Sequence, residues 1–343
     1  MDVVETGAPI EEPSRCIGRR SLVLVDRDRD SRGVPVEVWY PAVDGGEARS
    51  VYEVLPGVAF RGVTAIDSPS ASAGRFPLVL MSHGRTGTRI SYSLLCEALA
   101  ARGAVVVAPD HPGDTLVDWL TGANVDDRTN EVNRVLDAGF VLDTFLSGRA
   151  DGLDDVAGTV DSTKVALMGH SYGAYTAFAS TAGSRGVSPR SEVGAVVGLQ
   201  PYVKSMSETL LGRVTVPSLL LVGERDTVTP AATDADRAWR HVQGRPAWRV
   251  DLLGAGHQAS SDIALYAELV DHVPNLPDLV RDYLVATAEG TSGPGIRPWR
   301  SVLADQVAAV WAFLQVALQI DEAGGEESLD LLVGADGLVV ASR

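Results

Sequence analysis

The sequence predicts an α/β domain: a mostly parallel central sheet, an antiparallel leading hairpin, and helices on both faces. Three observations carry this reading. Short apolar runs alternate with stretches at helical spacing through most of the chain, as when a parallel sheet lies between two helical layers. The run Phe76-Pro77-Leu78-Val79-Leu80-Met81 is apolar throughout, as a strand covered on both faces is. Two earlier strands, 21–25 and 34–40, are parted only by the polar segment 26–33, which has the residues of a hairpin turn.

Taken in order, residues 1–18 read as a flexible leader, followed by the hairpin. Residues 41–75 are rich in Gly, Ala and Ser and read as a surface excursion. After the strand at 76–81 comes a helix over 91–102, with Leu94, Leu95 and Leu99 on one face. A valine strand at 104–108 leads to a helix over 131–147, where Val132, Val135, Leu136, Phe140, Val141 and Phe145 recur at helical spacing. The strand 165–168 precedes a small-residue helix over 174–182. Strands at 195–199 and 216–222, a helix over 231–242, a last strand at 248–253 and a closing helix over 302–320 complete one domain spanning 19–321. Residues 322–343 read as a C-terminal tail.

The composition narrows the function classes. The chain has 343 residues and a formal charge of −16, its acidic residues scattered rather than blocked. At this length one domain buries about three-quarters of its unfolded surface. The acidic balance argues against a nucleic-acid partner, which wants a basic face, and against docking on anionic membrane. No run of about 18 uninterrupted apolar residues is present, so no membrane span is expected. Residues 1–12 carry acidic groups and no long apolar stretch, unlike a secretion signal. Cys16 and Cys96 do not suggest a disulfide, and a cytoplasmic location is expected. No Cys/His cluster has zinc-site spacing, and neither metal nor cofactor is expected. The sequence carries no signal for oligomeric state.

The chemistry centres on Gly169-His170-Ser171-Tyr172-Gly173, between a strand and a helix. A serine on so sharp a turn is a nucleophile elbow, and its glycines leave room for neighbouring backbone. A serine hydroxyl needs an imidazole to take its proton and a carboxylate to orient that imidazole. In chain order the acid comes next. Asp226, after the run Ser218-Leu219-Leu220-Leu221-Val222-Gly223, is the candidate; Glu224 competes, but its side chain is expected to point away. The base is His257, in the Gly loop after the last strand. His170 reads as packed and hydrogen-bonded, His83 as bracing its loop, and His241 and His272 as surface residues. His111, after the 104–108 strand, is placed at the edge of the site as a possible substrate contact. The oxyanion donors are expected from the main-chain N–H groups of Tyr172 and Arg85, the latter after Met81-Ser82-His83-Gly84.

With these segments in order, the chain resembles the α/β-hydrolase superfamily. More narrowly it resembles the bacterial branch of platelet-activating-factor acetylhydrolases and predicted dienelactone hydrolases. The residues that carry this are Val34-Pro35-Val36-Glu37-Val38-Trp39-Tyr40-Pro41, Phe76 to Gly84, the elbow, Gly223-Glu224-Arg225-Asp226 and Gly256-His257. The resemblance implies an α/β-hydrolase fold with Ser171 as nucleophile, Asp226 as acid, His257 as base, and oxyanion donors at Arg85 and Tyr172. It departs in two places. Dienelactone hydrolases use a cysteine where this chain has Ser171, and family members often carry an apolar residue at Arg85.

The expectation is therefore a serine hydrolase cleaving a small-molecule carboxylic ester or lactone through an acyl-enzyme on Ser171. Two alternatives stand beside it: an acyltransferase or cyclase using the same triad, and a non-catalytic binding protein on the same fold. Residues 259–298 are expected to cover the site, with Ile263, Leu265 and Tyr266 facing inward. Leu116, Trp119 and Tyr202 are expected to line an acyl or leaving-group pocket.

Overall fold

The structure is a computed structural model that describes residues 4–5, 15–43, 49–55, 58–270, 276–288 and 290–343. Among these residues, twelve strands form one sheet. Strands β2 (Ile17–Asp26) and β3 (Arg32–Pro41) make the antiparallel hairpin, with Leu22 opposite Val36. Strand β3 then lies antiparallel to the core of the sheet. That core runs in the order β7 (Val105–Pro109), β6 (Phe76–Ser82), β8 (Val160–His170), β9 (Ala195–Leu199), β10 (Ser218–Gly223) and β11 (Ala247–Leu252), every pair parallel. All six strands therefore end at one edge, where an open parallel sheet presents its site.

Helices cover both faces, as expected. On one face α1 (Ser93–Ala101) and α10 (Trp299–Ala317) supply Leu95, Leu99, Val307, Val310 and Phe313, and Trp248 meets Phe313 edge-on at 5.5 Å. On the other, α3 (Asp127–Leu146), α5 (Tyr172–Ala182) and α7 (Ala235–His241) pack Val135, Val141, Phe145, Phe178 and Ala238. Helix α3 starts where Asp126 accepts the N–H groups of Arg128 and Thr129, a capping signal that places its start ahead of 131.

Several segments differ from the sequence reading. Residues 41–75 are not a loose excursion. Among them β4 (Arg49–Leu55) and β5 (Val58–Asp67) form a hairpin, which β5 joins to β2. Its Gly and Ala content hides the strands, whose fixing contacts are distant: Tyr52 stacks on Phe60 and donates to Glu97 of α1 at 2.6 Å. The strand at 248–253 is not the last. Residues read as a tail form α11 (Glu322–Val333) and β12 (Leu338–Ser342), and β12 pairs antiparallel with β11. The short helices α2 (Leu116–Thr121), α4 (Asp154–Ala157) and α6 (Glu208–Leu211) also lie where no helix was expected; Thr115 and Asp118 cap α2 reciprocally. Of the leader, Ile17 and Gly18 open β2, and Val4–Glu5 pair with β5 as β1. Residues 1–3 and 6–14 lie outside the described residues, as does His272.

Candidate active site

The elbow is built by exclusion. Ser171 sits at φ 52°, a left-handed conformation costly for any residue but glycine. A Cβ on Gly169 would overlap the Gly173 carbonyl, and one on Gly173 would overlap the Ser82 carbonyl. Only glycine at both positions lets β8 turn straight into α5 beside β6. The Ser171 N–H donates to the Leu199 carbonyl at 2.9 Å, and the Tyr202 N–H donates to the Ser171 carbonyl at 3.0 Å. The backbone of Ser171 is thus held from both sides by β9 and the loop after it.

The imidazole of His257 lies between Ser171 and Asp226. Its Nε2 is 3.0 Å from Ser171 Oγ, and its Nδ1 is 2.8 Å from Asp226 Oδ2. Asp226 also accepts the Val228 N–H at 2.9 Å, the Thr229 N–H at 2.8 Å and the Thr229 hydroxyl at 2.7 Å. Burial alone would raise its carboxyl. The His257 hydrogen bond and charge, with the Thr229 donors, hold it below the usual carboxylate range. Asp226 is therefore ionised and orients the ring with Nδ1–H toward itself, leaving Nε2 to accept from the serine. Glu224 turns away and accepts the Gly254 N–H at 2.8 Å, bracing the loop that carries His257.

The loop after β6 closes the other side. His83 Nδ1 donates to the Gly84 carbonyl at 2.7 Å, and its Nε2 accepts the His111 N–H at 3.1 Å. Burial pushes the His83 imidazole well below its ordinary range, so it is a neutral brace. Gly84 packs against Ser171: a Cβ there would come within 3.4 Å of the Ser171 Cβ. Neither the Arg85 nor the Tyr172 main-chain N–H has an acceptor among the described residues. The Arg85 side chain is engaged elsewhere, donating to Asp127 at 2.7 Å and lying over the Tyr172 ring. Behind the loop, fully buried Arg134 donates to Asp114 at 2.7 Å, to Thr176 at 3.0 Å and to the His83 carbonyl.

A cavity of about 270 Å³ opens over Ser171 and His257. Leu116 and Tyr266 line it, and so do Val54, Ile263, Tyr283 and Leu284. Three of the expected pocket residues do not. His111 is fully buried: its Nδ1 lies 3.4 Å from Asp137 and its Nε2 3.2 Å from Ser82 Oγ. It is drawn there because Asp137 also gathers Arg29 and Arg32 from the hairpin. Burial lowers its imidazole to about 4. Trp119 stacks behind Tyr283, and Tyr202 packs edge-on to Tyr172 at 5.3 Å. Leu265 is buried in the core rather than in the cavity wall.

The covering residues come from α8 (Ile263–Leu269) and α9 (Asp278–Thr287). Helix α8 is pinned to the start of α1: the Asp262 N–H donates to the Ser91 carbonyl at 2.8 Å, Asp262 Oδ2 accepts the Ser93 N–H at 2.7 Å, and the Tyr266 hydroxyl donates to the Ile90 carbonyl at 3.0 Å. Sequence reasoning missed Tyr92, Thr229, Asp262, Tyr283 and Val54. Only Thr229 had a local signal, its place three residues after Asp226. Both cysteines are free thiols. Among the described residues no group of three or more His, Cys, Asp or Glu has metal-holding geometry, and no helix is long and apolar enough to cross a membrane. A wider surface groove of about 760 Å³, along residues 181–193 and 207–216, contains no triad group.

This sheet order and site geometry define an α/β-hydrolase fold carrying a Ser-His-Asp arrangement. Known proteins agree with that class. The family model described as Chlorophyllase matches residues 63–223. Cutinase 1 of Thermobifida cellulosilytica is 30% identical over 158 residues, 46% of this chain and 50% of that protein. The chloroplastic chlorophyllase-1 of Citrus unshiu is 31% identical over 160 residues, 47% of this chain and 42% of that one. The chain spans about half the length of the curated relatives it matches. A solved structure of a ferulic acid esterase from Streptomyces cinnamoneus superposes with a TM-score of 0.67 at 24% identity, covering 93% of this chain and 94% of that one, which speaks to the fold. Over about half its length the chain is thus similar to chlorophyllases and cutinases, and these matches do not single out the acetylhydrolase or dienelactone hydrolase branch.

Proposed function

We propose that this protein is a serine esterase that cleaves a small carboxylic ester or lactone through an acyl-enzyme on Ser171. The observation that carries the reading is the continuous path from Ser171 Oγ through His257 to Asp226, with spacings of 3.0 and 2.8 Å. In this reading His257 Nε2 takes the serine proton as Oγ attacks the carbonyl carbon. The oxyanion that forms is met by the main-chain N–H groups of Arg85 and Tyr172, which are free to donate. The imidazolium, stabilised by ionised Asp226, then protonates the leaving alcohol. Water gives its proton to the same nitrogen, attacks the acyl carbon and releases the acid, restoring the serine.

The relatives support the class of bond cleaved, since cutinases and chlorophyllases are named for ester substrates. Mass spectrometry of the intact protein after a fluorophosphonate probe tests the reading. One stoichiometric adduct on Ser171, absent from Ser171→Ala, is the expected result. A folded protein that takes no adduct, or a Ser171→Ala variant that takes the same one, overturns it.

A further inference from the structure

The cavity over Ser171 has two chemically distinct sides. His257 protonates the leaving group, so the alcohol lies toward Val228 and Gln258, which line that side. The acyl group lies on the oxyanion side, along residues 84–88. Helix α2 is tied to that side, because the Leu116 N–H donates to the Gly87 carbonyl at 3.3 Å while the Leu116 side chain lines the cavity. Helix α9 lines the same cavity with Tyr283, Leu284 and Thr287.

The two helices meet through a ring pair. Trp119 of α2 and Tyr283 of α9 have centroids 5.1 Å apart and planes inclined at 34°. Tyr283 lines the cavity; Trp119 does not, and at 44% exposure it backs Tyr283 from the solvent side. Val117 and Leu120 of α2, and Leu279 and Val285 of α9, face solvent. Truncating one ring therefore opens a gap in the wall rather than emptying a packed core. The whole cavity, its alcohol side included, measures about 270 Å³, which leaves little room for a long acyl chain unless the wall gives way.

The geometry points to Trp119 and Tyr283 as the wall that sets acyl length, so that the site selects esters of compact acids over long-chain ones. This inference rests on Ser171 being the nucleophile. A longer acyl chain has to part the two rings to pass between α2 and α9. Tyr283 acts here through its ring, since Leu116, Leu284 and Ile263 around it are apolar.

The test uses the full chain and p-nitrophenyl esters from acetate to dodecanoate, compared as kcat/KM. The wild-type protein is expected to favour the short acids. In Trp119→Ala and in Tyr283→Ala the dodecanoate-to-butanoate ratio is expected to rise by on the order of tenfold, and Tyr283→Phe is expected to keep the wild-type ratio. A ratio within about twofold of wild type in both alanine variants overturns the wall. Ser171→Ala separates the two levels of the argument. Full hydrolysis by that variant overturns the nucleophile itself, whereas loss of hydrolysis with an unchanged length profile in the alanine variants overturns only the wall.

Discussion

His170, the residue before Ser171, donates its Nε2–H to the main-chain carbonyl of His257 at 2.8 Å. A carbonyl only accepts, so Nε2 carries the proton, and burial lowers this imidazole to about 3 and keeps it neutral. Its Nδ1 must then accept from the Tyr92 hydroxyl at 2.8 Å, and the Tyr92 oxygen accepts the Gly84 N–H at 3.2 Å. One chain of hydrogen bonds with a defined direction therefore joins the loop after β6, the elbow and the loop that carries His257.

Tyr92→Phe tests that chain. It leaves the Gly84 N–H without its acceptor and His170 Nδ1 without its donor, both in a buried site. Unpaired buried groups cost on the order of 1–3 kcal/mol each, so the denaturation midpoint is expected to fall clearly. Turnover is expected to fall with it, because Gly84 precedes the Arg85 N–H. An unchanged midpoint would mean that these bonds contribute nothing to the fold.

Asp226→Asn keeps the size of the side chain and removes its charge. The amide can present its NH₂ to His257 Nδ1, which favours the tautomer with the proton on Nε2, where the serine proton has to go. The expected loss in kcat is on the order of 10⁴, with KM little changed. Steady-state kinetics on one activated ester checks this, and a loss of less than about tenfold would exclude Asp226 as the orienting acid.

Asp262 sets a pH dependence of stability. It is fully buried, and burial raises its carboxyl from an ordinary 3.8 to about 7, although it accepts from Ser93. Glu97, Cys96, Tyr92 and Tyr266 are the titratable groups that interact with it. Between about pH 4 and 7 the folded protein holds this proton and the unfolded chain has lost it. Folding stability from this group therefore falls as pH rises through that window. Asp262→Asn has no proton to lose. Relative to that variant, the wild-type Tm is expected to decline across the window, and parallel Tm–pH curves would refute the linkage.

The order of strands and helices was legible because burial imposes a local pattern. A strand covered on both faces is apolar throughout, and a surface helix repeats every three to four residues. The elbow was legible for a sharper reason. Gly169 and Gly173 stand where neighbouring backbone leaves no room for a Cβ, and Ser171 takes the one strained conformation between them. The β4–β5 hairpin lacked such a pattern, since Tyr52 and Phe60 are fixed by each other and by Glu97 rather than by alternation.

By itself, the sequence determined the fold class, the turn that carries Ser171, and the loops that carry Asp226 and His257, because each depends on the chain's local stereochemistry and on where a parallel strand ends. Which side chains face the cavity depends instead on contacts between distant segments. His111 follows a strand end as Asp226 does, yet Asp137, held by Arg29 of the hairpin turn and Arg32 of β3, draws it inward. Tyr283 lies more than a hundred residues from Ser171 and reaches the cavity because α9 lies across from α2. Such partners are chosen by charge pairing and ring packing between distant segments, and no local pattern in the chain encodes them.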